Sequence, residues 1–294
     1  MFKKSLFYFT ICTLLLTALP LTAGATTAST QNVLPASVDQ VGAYGSINWE
    51  QGVVEAIGAG IPSRMAKSPA QARLMARRAA IVNAQRNLLE TIEGIKVTAE
   101  TTVQNLETTS DTVRTRITGI VKGAKIADEQ LLADGSYQIT LRIDLFGRGG
   151  LTEIITDAIK PAAPASLPMP SAAYTPVVLP VYTGLVVNVT GLPVTRALSP
   201  VIYDDTGRII YSYDNLIPEY AVSHGMLDYL CTPEDRRSLE LGQSRAGTTP
   251  LVVKAAGLRD NNINIIISQA AADKILAANA QDNFLPKAMV CVKQ

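Results

Sequence analysis

The sequence predicts an α+β protein: two small α+β domains, each with helix packed on an antiparallel or mixed sheet, joined by a Pro-rich linker after a signal peptide. Three observations carry that prediction. The first is a strand pattern of strict alternation at Ser136–Leu145. The second is a capped, alanine-rich helix from Pro69 to about Glu93. The third is a cluster of prolines between about residues 160 and 178 that divides the chain.

The chain opens on Lys3 and Lys4, followed by a mostly apolar run from Leu6 to Leu21 and by Ala23-Gly24-Ala25. That order is the pattern of a secretory signal peptide, with cleavage expected after Ala25 and delivery to the periplasm. The apolar run is shorter than the roughly 20 residues a spanning helix needs. A lipoprotein would place a cysteine directly behind the apolar region. Cys12 lies inside it, so lipid attachment is not expected. Residues 26–44 are rich in Thr, Ser and Ala without periodicity and read as a flexible leader.

The first domain is expected over residues 45–155. Val54, Ala56, Gly58 and Gly60 alternate with Glu55, Ile57 and Ala59, predicting a strand that ends by Pro62. Its glycines allow another backbone to approach. Ser68 is a good N-cap, Pro69 suits the first helical position, and Gly94 is a stop. Ala70, Leu74, Ile81, Ala84, Leu88 and Ile92 are expected to form the apolar face. Arg77 sits at the edge of that stripe, where it can hold an anion or reach a carboxylate. Residues 98–120 suggest a second, broken helix. Val121–Leu132 reads as a strand, Ala133-Asp134-Gly135 as a turn, and Ser136–Leu145 as the antiparallel partner.

Residues 156–180 form the Pro-rich linker, a composition that favours extended chain between spaced modules. The second domain, residues 181–294, shows strand patterns at Gly184–Val189, Leu251–Lys254, Ile263–Ile267 and Ala288–Val292. A hairpin is expected at Val201–Tyr211 around Asp204-Asp205-Thr206-Gly207, and a helix behind Ser268.

Composition excludes some function classes. Hydrophobic residues make up 47% and charged residues 17%, which suits packed domains rather than disorder. Without Lys3 and Lys4 the chain holds 24 basic and 25 acidic residues, and no basic stripe suggests nucleic acid. Cys231 and Cys291 remain after cleavage, an even pair in an oxidising compartment and so a candidate disulfide.

Catalytic patterns are not found. His224 is the single histidine and follows Ser223, but sequence neighbours rarely face each other and no Gly-x-Ser-x-Gly elbow occurs. Zinc needs clustered Cys and His. Asp204–Gly207 suits a turn better than a calcium loop. Gly147-Arg148-Gly149-Gly150 lacks the Lys-Ser/Thr of a phosphate loop and reads as a flexible exit. Glu234–Arg237 reads as a solvated helix start. No catalytic, cofactor or metal site is expected. A paired-carboxylate site assembled by folding would leave no trace in spacing.

The run Gly58-Ala59-Gly60-Ile61-Pro62, with Ala70, Ala72, Ala76, Ala79, Ala80, Ala84 and Asn87-Leu88-Leu89-Glu90, resembles the LPP20 family of envelope proteins. Val121-Lys122-Gly123-Ala124 and Asp134-Gly135-Ser136-Tyr137 fit the same pattern. The stretch from about residue 45 to 150 is also similar to the N-terminal domain of flagellar assembly protein T and to flagellar protein P. Tyr182–Val187, Ala197–Pro200, Ile265–Ser268 and Asn283–Leu285 resemble a module found beside such domains in uncharacterised exported proteins. The resemblance implies envelope or flagellar-ring proteins as partners, peripheral outer-membrane association through them, and no reaction. Two functions are therefore weighed: a non-catalytic envelope protein working by docking, and a periplasmic binder of a small ligand or glycan in the inter-domain cleft. An unrecognised hydrolase is a third.

Overall fold

The computed structural model describes residues 35–161, 165–175 and 177–294. The expected signal peptide and the leader up to residue 34 lie outside the described residues.

The N-terminal half is an antiparallel sheet of β1 (Val38–Val41), β2 (Gly45–Asn48), β3 (Val53–Gly60), β4 (Lys125–Leu131) and β5 (Tyr137–Asp144), in the order β1-β2-β3-β5-β4. The leader expectation fails for residues 38–41. They pair with β2 in full register, Val38 against Asn48 and Val41 against Gly45. The central pair is β3 and β5. Val54, Ala56 and Gly58 face Ile143, Leu141 and Ile139 on the buried side, while Glu55 meets Arg142 on the wetter side at 2.5 Å.

Helix α1 (Pro69–Glu93) lies on the buried side of that sheet. Ser68 Oγ accepts from the Gln71 backbone N–H, as its N-cap role requires. Ala76, Ala80, Ala84, Leu88 and Ile92 are fully buried. Spaced by four, they form one ridge down the helix. The ridge begins at Ala76 because β3 ends at Gly60, beneath the Ala76 carbonyl. Ala70 and Leu74 lie beyond that edge and are exposed, contrary to expectation. Gly58 and Gly60 are what let the helix sit this close. An added Cβ on Gly58 would lie 2.1 Å from the Ala84 nitrogen, and one on Gly60 2.1 Å from the Ala76 oxygen.

The ambiguous stretch resolves into α2 (Val103–Thr109) and α3 (Asp111–Lys122), broken at Ser110, whose side chain caps α3. Val113, Ile117 and Val121 are one buried helical stripe, so the strand expected from Val121 begins at Lys125 instead. Gly147–Gly150 leads straight into α4 (Leu151–Ile159), an amphipathic helix that the proline-rich composition around it hides in the sequence.

The C-terminal half is a seven-stranded mixed sheet. Its strands are β6 (Leu185–Asn188), β7 (Ile202–Asp204), β8 (Ile209–Tyr211), β9 (Asp228–Leu230), β10 (Leu251–Arg259), β11 (Asn264–Ile267) and β12 (Val290–Lys293). The order is β8-β7-β11-β10-β6-β12-β9, with β6 parallel to both β10 and β12. Leu185, Val186 and Val187 are all fully buried, as a central strand covered on both faces demands. Helices α5 (Pro218–His224), α6 (Pro233–Glu240) and α7 (Gln269–Asp282) complete it. Ser268 caps α7 as expected, and α6 buries no residue, as a solvated charge run should. Asp204 Oδ1 accepts from the backbone N–H groups of Thr206 and Arg208, which closes the expected hairpin turn.

The Pro-rich segment is a strap, not a spacer. Ser171 donates to both oxygens of Asp273, Arg208 Nη1 donates to the Met169 carbonyl at 2.8 Å, and Leu167 and Leu179 pack on the C-terminal core. Arg208 also holds Asp204 at 2.9 Å and Asp273 at 2.7 Å. Burial alone would raise both carboxyls. The hydrogen bonds from Thr206 and Arg208 to Asp204, and from Ser171 and Arg208 to Asp273, outweigh it and hold both below the ordinary value.

The expected disulfide does not form: Cys231 and Cys291 are free. Strand register explains why. Cys291 pairs with Asp228 in parallel β12 and β9, three residues short of Cys231. Three residues of strand are about 10 Å, beyond the roughly 7 Å a disulfide spans. The odd offset also sends the two side chains to opposite faces. Cys291 packs with Val186, Leu230 and Ala246, while the Cys231 thiol donates to Gln294 Oε1 at 2.8 Å.

Candidate functional site

The two sheets meet along a shared interface. Leu198 and Ser199 N–H groups donate to the carbonyls of Lys96 and Val97, and Gly147 N–H donates to the Val222 carbonyl at 2.8 Å. Arg196 is the polar hub. Its guanidinium donates to Asp39 Oδ1 and the Ala36 carbonyl at 2.5 Å each and to Gln294 Oε1 at 2.9 Å, and it lies over the Tyr229 ring. Trp49 donates to the other Asp39 oxygen at 2.6 Å and meets Tyr229 edge-on at 5.6 Å. One acid thus orients an arginine from one half and a tryptophan from the other. Phe146 wedges between Gly52 and Gly225. A Cβ on either glycine would come within 2.7 Å of its ring.

Beside this interface lies a cleft of about 690 Å³, within the size range of ligand sites. Its N-terminal wall holds Trp49, Glu50, Gln51, Asp144 and Phe146, and its other wall holds Tyr220, His224, Asp228, Arg245 and Lys287. A smaller chamber of about 200 Å³ adjoins it and shares Glu50, Phe146, Asp228, Ser244 and Arg245, adding Asp235.

Arg245 braces the floor. It pairs with Asp228 at 2.6 Å and donates to the backbone carbonyls of His224 and Gly225, tying the end of α5 to β9. Burial raises the Asp228 carboxyl above its ordinary value, with Arg245 and His224 pulling the other way. Ser244 Oγ is enclosed and lies against the Cys291 thiol, which its hydrogen bond pulls down against the effect of burial. Ala288 adopts φ +55°, an uncommon conformation for a residue with a Cβ, directly after Lys287.

His224 lies in this cleft together with Ser223, yet the two do not form a dyad. The Ser223 hydroxyl donates to the Glu219 carbonyl one turn back at 2.7 Å. Arg77 lies elsewhere and is spent on Glu129, with two hydrogen bonds of 2.7 Å, so the carboxylate alternative holds and the anion one does not. Among the described residues no group of three or more His, Cys, Asp or Glu is placed to hold a metal ion, and no helix is long and apolar enough to cross a membrane. The cleft residues come from separate segments at Glu50, Asp144, His224 and Lys287, so no spacing in the sequence marks them.

Comparison with known proteins divides the chain where the structure does. No curated protein matches it. Residues 184–293, the C-terminal sheet and its helices, match the second domain of Treponema pallidum Tp0624. Residues 56–144, from β3 to the end of β5, match the LPP20 lipoprotein family. The chain is therefore similar to an LPP20 lipoprotein in its first half and to the second domain of Tp0624 in its second.

Proposed function

We propose that this is an exported, non-catalytic protein of a bacterial cell envelope that works by docking to other envelope proteins. The envelope setting is supported by the similarity of residues 56–144 to LPP20 lipoproteins and by the secretory pattern ahead of Ala25. The observation that carries docking is the open edge β4. All seven of its residues are exposed, and Ile126, Leu131 and the following Leu132 present apolar side chains to solvent. Such an edge offers unpaired backbone groups to an extended partner strand. Lys125, Asp128 and Glu129, with the irregularity between Ile126 and Asp128, restrict which strand can add.

A photo-crosslinking residue at Leu131, expressed in the native envelope, tests this. A discrete adduct with an envelope protein is expected from Leu131 and none from Arg236 on α6. Absence of an adduct from Leu131, with a small molecule retained on purification, overturns the docking reading. The resemblance to flagellar proteins sets a narrower form of the proposal, docking at a flagellar ring. Deletion of the gene then abolishes motility, and unimpaired motility with intact flagella removes that form alone.

A further inference from the structure

The end of the first sheet where α1 begins differs from the rest of its surface. β3 stops at Gly60, beneath the Ala76 carbonyl, so the helix from Pro69 to Ala76 overhangs the sheet by about 10 Å. The chain from Ile61 to Lys67 closes that gap. Its crest is a turn in which the Ser63 carbonyl accepts from the Ala66 N–H, and Arg64 and Met65 are the two central residues. Met65 is 91% exposed, Ile61 77%, and Leu74 on the overhanging helix 70%. Side chains this bare project from a convex tip, whereas a groove would already cover part of each.

Charge follows the same pattern. The chain as a whole holds 26 basic and 25 acidic residues, yet no Asp or Glu occurs between Glu55 and Glu90, while Arg64, Lys67, Arg73, Arg77, Arg78 and Arg86 all fall there. Arg77 is spent on Glu129, and Arg86 pairs with Glu90. Arg64, Lys67, Arg73 and Arg78 are exposed and take part in no ion pair among the described residues. One acid comes to this end in the turn after β4, where a Cβ on Gly135 would lie 3.3 Å from the Pro62 ring. It is Asp134, which accepts from the Ser136 N–H and hydroxyl.

We propose that this tip is a membrane foot. Ile61, Met65 and Leu74 enter the surface of a bilayer rich in anionic phospholipid, and Arg64, Lys67, Arg73 and Arg78 lie against its phosphates. Apolar side chains gain by entering the boundary between headgroups and acyl chains, and long basic side chains reach back to the headgroups. An acidic protein surface would match the cations but offer the bare apolar side chains no counterpart. β4 runs back from this end, with Leu131 level with Gly60 and Lys125 level with Glu55, so its edge stays open to a strand while the tip is on a membrane.

The test is flotation of the exported, purified chain with vesicles of phosphatidylglycerol and phosphatidylcholine in equal parts, beside vesicles of phosphatidylcholine alone. Binding to the anionic vesicles is expected to be at least about tenfold tighter and to weaken as salt rises. Arg64→Gln together with Lys67→Gln should reduce it on the order of tenfold. Met65→Asp should abolish it and Met65→Leu should keep it, both with unchanged Tm because the side chain is exposed. In Met65→Trp, brominated acyl chains should quench the added indole and leave Trp49, packed against both cores, as it was. Arg236→Gln on α6 should change nothing. Equal binding to both kinds of vesicle overturns the proposal, as does absence of quenching. Binding indifferent to Met65→Asp also overturns it and assigns the affinity to residues ahead of 35. If Met65→Asp instead dissolves a dimer and spares vesicle binding, the tip joins two copies of the chain and the proposal fails. Photo-crosslinking at β4 reads a protein adduct and not lipid, so either inference can fail alone.

Discussion

Adding one methyl group at Gly58 should pry helix α1 off its sheet. In Gly58→Ala the new Cβ would stand 2.1 Å from the Ala84 nitrogen, 2.4 Å from the Ala80 oxygen and 2.6 Å from the Ala84 Cα. All three are helix backbone, so no side chain can swing aside. Ordinary contact begins near 3.4 Å, so the helix must retreat by about 1.3 Å. A gap of about 0.5–1 Å already forfeits a quarter to a half of the dispersion energy of the atoms facing it. Here those atoms belong to Ala76, Ala80, Ala84, Leu88 and Ile92, all fully buried. The expected loss is about 3 kcal/mol or more, the upper end for overpacking, and about 6–12 °C in Tm for a chain of this size. The control is Gly119→Ala. Gly119 lies inside α3, its added Cβ meets nothing within 4 Å, and helix propensity should return up to about 1 kcal/mol. Thermal and urea unfolding of the two variants beside the parent give the answer. A Gly58→Ala protein within about 0.5 kcal/mol of the parent refutes the claim that these glycines set the helix-to-sheet distance.

Arg208→Met leaves the Asp204 and Asp273 carboxylates buried without their cation. The expected loss is about 3 kcal/mol, the lower end for a broken buried pair because Arg208 keeps part of its surface in water, and limited proteolysis should then cut the strap between residues 165 and 175. Both acids are depressed below 3.8 in the folded chain, so the folded state binds fewer protons there than the unfolded state does. Their contribution is complete above pH 3.8 and is lost as pH falls through the folded values. A parent protein equally stable at pH 3 and pH 6 would contradict it. Thiol labelling under non-reducing conditions should find both cysteines free. Burial pushes the Cys291 thiol up to about 12, so it reacts only on unfolding, whereas Cys231, half-buried, reacts sooner; an intact 231–291 bridge in the peptide map would refute the register. Trp49 packs against both cores, so its fluorescence and the far-UV circular dichroism should share one unfolding midpoint. Two separated transitions would show that the halves unfold independently.

The legible parts of the fold were those whose local chemistry agreed with their tertiary role. Ser68-Pro69 and Gly94 bracket α1 because capping is decided within a few residues. The alternation in β5 survives because one of its faces is buried throughout its length. Gly58 and Gly60 could be taken as sites of close backbone approach because they break an otherwise branched strand. Other elements depend on distant partners. β1 is four residues with no apolar alternation, and only its pairing with β2 makes it a strand. β9 is three residues, too short to show a period. α4 was lost because the prolines behind it set the apparent boundary too early. The cysteines could be counted in the sequence, but their separation is a matter of register between β9 and β12. The cleft was less legible still. Its acids and cations come from five separate stretches of chain, at Glu50, Asp144, His224–Asp228, Arg245 and Lys287, and no spacing joins them.

Arg196 brings Ala36 and Gln294 to the same guanidinium. The two ends of the described unit therefore leave from one corner. A short Gly/Ser linker could join them, and new ends opened in the exposed turn at Asp134-Gly135 should yield a circular permutant that still folds. The same adjacency makes the unit insertable. Spliced into a loop of another protein, it would ask its host to hold apart only a single corner, leaving the β4 edge and the cleft unburdened by the joint.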